Sequence, residues 1–138
     1  MKGLGVVDDT VHDSEDLVIL TLPASSAYLS VLRTVSAGLA ARLDFTLDEI
    51  EDLRIAVDEA CAMLVTGAAP DTDLTCRFQL EPALIRVDVT VRSDIARPPA
   101  RDTFAWTVLS ALVSEVDATR DEADNVTIRL VKGKGERV

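Results

Sequence analysis

Few residues of this sequence have both the type and the spacing to do chemistry. Asp58 and Glu59 stand side by side in the run Ile55-Ala56-Val57-Asp58-Glu59-Ala60-Cys61, which reads as helix. Successive helix residues point about 100° apart, so these two carboxylates cannot act on one substrate atom. A glycosidase or metal-hydrolase pair is therefore set aside. Two cysteines, Cys61 and Cys76, form no Cys-x-x-Cys pair, and the single histidine, His12, lies far from both in an acidic stretch. That spacing excludes the usual zinc sites. Both cysteines sit in apolar segments and read as buried, reduced thiols, with a disulfide as the alternative.

The bulk numbers narrow the class further. A chain of 138 residues with 48% apolar and 28% charged residues has the length of one folded domain and enough apolar side chains for a core. Its net charge is −10. DNA, RNA and anionic membranes are won by Lys and Arg contacts, so the expected partners are basic protein surfaces. Asp8, Asp9, Asp13, Glu15 and Asp16 against Lys2 give the first sixteen residues a net charge of −4. Residues 1–16 are expected to be a disordered acidic arm, 17–132 the folded domain and 133–138 a flexible basic tail. The acidic N-terminus has no apolar signal-peptide core. The longest uncharged run, 17–32, contains Pro23 and three serines and falls short of the ~20 apolar residues of a membrane span. The expected location is the cytoplasm.

The elements that must hold any site follow from periodicity. Leu17-Val18-Ile19-Leu20-Thr21-Leu22, ended by Pro23, reads as a strand. Ser25 or Ser26 caps a helix through about Arg42, with Leu29, Leu32, Val35, Leu39 and Leu43 at helical spacing. Asp44-Phe45 make a break. Thr46-Leu47-Asp48-Glu49 is then a capping box, opening a helix over 46–65. Leu47, Ile50, Leu53, Val57, Cys61 and Leu64 form its apolar face, and Gly67 is placed to cap its end. Residues 74–80 and 84–91 read as an antiparallel hairpin with one wet face. After a proline-containing loop over 95–101, Asp102 is expected to cap a helix over 103–116. That helix is apolar nearly all round, so it should be buried, with Trp106 in the core. A last strand covers 126–131. The order β-α-α-β-β-α-β suits an α+β two-layer sandwich, a mixed, mainly antiparallel sheet with helices on one face.

The stretch Leu43-Asp44-Phe45-Thr46-Leu47-Asp48-Glu49-Ile50, followed by Ile55-Ala56-Val57-Asp58-Glu59-Ala60-Cys61, resembles the anti-sigma factors of the RsbW/SpoIIAB type. Thr103-Phe104-Ala105-Trp106-Thr107-Val108-Leu109 resembles their actinobacterial branch in particular. The likeness runs over about 17–131. It implies the Bergerat (histidine-kinase-like, GHKL) ATPase fold. It also implies a job, which is to bind an alternative sigma factor until a STAS-domain anti-anti-sigma protein releases it. Kinases of this type phosphorylate a serine on that antagonist.

The resemblance also points to site residues. In the family, a helical Glu-x-x-x-Asn box activates the attacking hydroxyl and binds Mg²⁺. Glu59 stands at the first position, but Met63 replaces the Asn. A thioether is a soft ligand where Mg²⁺ demands hard oxygens, so no metal site is expected. An Asp-x-Gly box recognises adenine. Here it reads Asp94-Ile95-Ala96, with the Asp kept as a vestigial contact and the Gly gone. The family's ATP lid uses glycine N–H groups to bind phosphate. This chain has no glycine between Gly67 and Gly133, and prolines at 98 and 99 remove donors. ATP and Mg²⁺ are therefore not expected as working cofactors. The family's partner-binding arginine falls on Arg33, for which a solvated residue on an exposed face is the plainer account. Asp44, Asp48 and their acidic neighbours either meet a basic sigma surface or complement the helix dipole. Homodimers in the family use the first strand and helix. Ala27, Ser30, Thr34, Ala37, Gly38 and Ala41 give that helix a small-residue face suited to close packing. The preferred reading is a sigma-sequestering protein with a degenerate ATP site. The alternatives are an active serine-protein kinase and a kinase-like module for another regulatory protein.

Overall fold

The structure, a computed structural model, describes residues 16–95 and 97–135. Residues 1–15 and 136–138 hold most of the expected arm and the end of the expected tail, and they lie outside the described residues. Strand β1 (Asp16–Pro23) is followed by a 3-10 turn at Ser26–Tyr28, with Ser25 as its cap. Helices α1 (Leu29–Arg42) and α2 (Leu47–Thr66) come next, then the hairpin of β2 (Asp73–Glu81) and β3 (Leu84–Arg92). Helix α3 (Phe104–Leu112), β4 (Glu115–Arg120) and β5 (Asn125–Gly133) complete the chain. The five strands form one sheet in the order β1-β2-β3-β5-β4, and every pairing is antiparallel, which corrects the expected mixed sheet: each strand joins its neighbour without a parallel crossover. No helix among the described residues is long and apolar enough to cross a membrane.

Period-two alternation puts Leu74, Cys76, Phe78, Val87, Val89, Val91, Val126, Ile128 and Leu130 on the inner face, all buried under the helices. The other face is polar and set in register. One row across the sheet reads Ile19, Arg77, Asp88, Arg129, Asp117, and the next reads Thr21, Thr75, Thr90, Thr127, Thr119. Arg129 grips Asp88 with two bonds of 2.7 and 2.9 Å, and the hydroxyls of Thr90 and Thr127 meet at 2.7 Å. Such cross-strand pairs let this face stand in water.

Four further expectations are corrected. The helix expected over 103–116 stops at Leu112, and residues 115–120 form β4. Val113 and Val116 continue the helical spacing and no Gly or Pro marks the stop, so the sequence hides the change. What ends the helix is tertiary: the Ser114 N–H donates to Val131 O at 2.8 Å and starts a new ladder. Nor is this helix buried all round. Trp106 and Leu109 are buried, whereas Phe104 is 83% exposed. Its cap is Thr103 and not Asp102, since Thr103 Oγ1 accepts from the Trp106 N–H. Finally, Leu47 does not join the buried face of α2. It is 84% exposed, and Glu49 and Ala60 are buried there beside Leu53, Val57, Cys61 and Leu64.

Candidate functional site

The site is organised by α2, and α2 is anchored by its capping box. Thr46 Oγ1 accepts from the Glu49 N–H, and Glu49 Oε1 accepts from the Thr46 N–H at 2.8 Å. Glu49 is itself buried, and its other oxygen accepts from the Gly135 N–H at 2.6 Å. The Thr46 N–H bond holds this carboxyl below its usual pKa, helped by Gly135, the Thr46 side chain and nearby Lys132, while burial opposes them. Lys132 comes from the inner face of β5 and is also buried. Its ammonium donates to Leu112 O at 2.8 Å and to Asp52 at 3.4 Å. It thus caps the last turn of α3 while pairing with α2.

About three turns into α2, the functional candidates appear. Asp58 faces α1, where its carboxylate pairs with Arg33 Nε at 3.1 Å, each side chain about 40% exposed. Arg33 is thus an arginine held across the α1–α2 seam with part of its guanidinium in water. Glu59 is half-buried. Cys61 and Cys76 are free and fully buried, as their apolar surroundings imply. Burial, with the Asp58 charge adding to it, pushes the Cys61 thiol up to about 12, which leaves it inert as a nucleophile.

One turn further, Met63 lines a cleft of about 700 Å³ between the end of α2, the ends of β3 and β5 and the loop after β3. Leu64, Val91, Ile95, Pro98 and Val126 make most of its wall, with Thr66, Ser93 and Arg97 as the polar side chains. Neither Glu59 nor Asp94 is among the described residues that line it, and Asp94 is exposed. Of the residues singled out by the family likeness, the structure brings Met63 to the cleft and leaves Glu59 and Asp94 off its wall.

The loop carrying Asp94 is stitched to the end of α2. Ser93 Oγ donates to Gly67 O at 3.1 Å and accepts from the Ile95 N–H, while the Asp94 N–H donates to Gly67 O. The Ile95 side chain then lies so close to Gly67 that a Cβ there would meet it at 3.3 Å. An isoleucine thus closes over the backbone that a glycine-containing box would leave open. Arg97 is a cleft residue that the sequence reading did not single out. Its only signal was a cation inside the proline-containing loop. The Arg33–Asp58 pair was also missed, because it joins two helices and has no local pattern.

Asp44 and Asp48 flank the start of α2. Asp48 is exposed in the first turn. Asp44 has a φ of 62° and closes α1 in a Schellman arrangement: its N–H donates to Ala41 O, and the Phe45 N–H donates to Ala40 O. The Phe45 ring is buried behind it. Among the described residues no group of three or more His, Cys, Asp or Glu side chains converges as a metal site.

No family model matches the chain. It is 33% identical over 106 residues to the anti-sigma-F factor RsbW of Mycobacterium tuberculosis, covering 75% of this chain and 62% of that one. It is 34% identical over 84 residues to the serine-protein kinase RsbW of Bacillus velezensis, covering 59% and 52%. The chain therefore spans less than two thirds of the length of these relatives. In fold, it matches the crystal structure of the RsbU and RsbW domains of a Mycobacterium tuberculosis protein. The TM-score is 0.70 at 20% identity, over 86% of this chain and 32% of that one. Across three quarters of its sequence, and in its fold, the chain is RsbW-like.

Proposed function

We propose that the chain is an anti-sigma factor that sequesters a sigma-F-type sigma factor and does so without phosphorylating a partner. The binding half of this reading rests on the 33% identity, over 106 residues, to the anti-sigma-F factor RsbW. Arg33 is the anchor. Asp58 orients its guanidinium across the α1–α2 seam, and the exposed part keeps N–H donors for an incoming acceptor. Asp44 and Asp48, both exposed at the α1–α2 junction, add negative charge that a basic sigma surface would meet. A STAS-domain antagonist that uses Arg33 as well would exclude the sigma factor by competition. The work is done in the cytoplasm.

Met63 supports the absence of kinase chemistry. The cleft offers a thioether where Mg²⁺ needs oxygen, and its wall is largely apolar. A polyphosphate would meet one arginine there. The competing reading, an active serine kinase, draws on the Bacillus velezensis relative, which is named a serine-protein kinase. Incubation with Mg-ATP and a STAS-domain partner separates the two readings. Clear serine phosphorylation would overturn the non-catalytic one.

A homodimer is part of the proposal. β1 is an edge strand whose Leu17 and Ile19 are about half exposed, and Gly38 and Ala41 stand exposed on α1. An apolar open edge is a template for a second strand.

A further inference from the structure

We propose that the cleft at the end of α2 takes a small, largely apolar carboxylate in place of a nucleotide. This rests on the reading of the cleft as a lapsed nucleotide site. Its size, about 700 Å³, is that of a small-molecule pocket. Met63, Leu64, Val91, Ile95, Pro98 and Val126 would bury an alkyl or aryl body. Arg97 is the one charged residue among the described lining residues, and it forms no ion pair among the described residues.

The other polar side chains on the wall have protein partners. Thr66 Oγ1 donates to Ala62 O at 3.0 Å, and Ser93 Oγ donates to Gly67 O while accepting from Ile95. The wall therefore balances one negative charge and no more. ATP with its several charges would be left without counter-ions, metal or lid. A single carboxylate on an apolar body meets a matching site: the guanidinium takes both oxygens and the body displaces water from Ile95 and Met63.

The test is calorimetric titration of the full chain with hexanoate, octanoate and decanoate, with octanol and Mg-ATP as comparison ligands. The expected result is saturable binding of one carboxylate per chain. Affinity should rise about fourfold per added methylene. Arg97→Gln, a change at an exposed position, should weaken decanoate about tenfold and leave octanol unchanged. Met63→Trp, which fills the cleft, should weaken both. Absence of saturable decanoate binding, or binding indifferent to Arg97→Gln, overturns the proposal and leaves the lapsed-site reading standing. Mg-ATP binding tighter than decanoate overturns both.

Discussion

Glu49 carries more of the site's stability than its place in a capping box suggests. It is 1% exposed, accepts N–H bonds from Thr46 and Gly135, and lies near Lys132. Gln keeps the capping geometry and removes the charge. Glu49→Gln should therefore cost about 1 kcal/mol at pH 7. Because folding lowers the pKa of this carboxyl, the charge-dependent stability is fully present above about 4.5, the ordinary Glu value. It is lost as pH falls through the lower folded value. Denaturant midpoints for the two proteins should thus begin to draw together as the pH falls below about 4.5. A gap that stayed constant down to pH 3 would refute this role. Arg33 behaves differently. Its ion pair is about 40% exposed, so Arg33→Glu should cost no more than about 1 kcal/mol of stability. Its effect on sigma binding should exceed tenfold, and intact binding would remove Arg33 from the interface. Thr46 and Glu49 were legible in the sequence because a capping box is local. Arg33 with Asp58 and Glu49 with Gly135 were not, because each pair is made by the packing of distant segments.

At the scale of elements, the α1–α2 junction separates a folding role from a binding role. Asp44 holds a left-handed conformation that glycine adopts without strain. Asp44→Gly should stabilise the chain by about 0.5–1 kcal/mol, read as a raised urea midpoint. If the carboxylate also meets the sigma factor, the same variant binds it more weakly. Unchanged binding would leave Asp44 with the junction alone. The hairpin and both long helices were readable because their alternation and caps are strong. The α3–β4 passage was not. Val113 and Val116 keep the period of α3, and β4 has Glu115, Asp117, Thr119 and Arg120 exposed around half-buried Val116 and buried Ala118. Only its partner β5 identifies it as a strand. At its edge, Arg101 lies 5.0 Å over the Trp106 ring while bonding to Asp117 and the carbonyl of Ala118, which ties β4 back to α3.

On the scale of the whole molecule, the two sheet edges differ. β4 is short and charged, features that discourage pairing with another chain, whereas β1 is eight residues long and carries Leu17 and Ile19. Ile19→Glu, at a position that faces Arg77 across the β1–β2 pair, should convert a dimer to a monomer in sedimentation equilibrium, without lowering the thermal midpoint of the monomer. A wild-type chain that stays monomeric at high concentration would exclude the β1 interface. The two-layer architecture followed from element types and order, while strand order did not. The insertion of β5 between β3 and β4 depends on long-range pairings that leave no trace in local pattern.

Sequestration of a sigma factor without nucleotide is the central claim. Its most direct test is calorimetric titration of the purified chain with a sigma-F-type sigma factor from the same genome, in the absence of ATP and Mg²⁺. The account predicts a saturable complex that Arg33→Glu weakens more than tenfold. No complex with any sigma factor of that class, or one formed only with Mg-ATP, would contradict it.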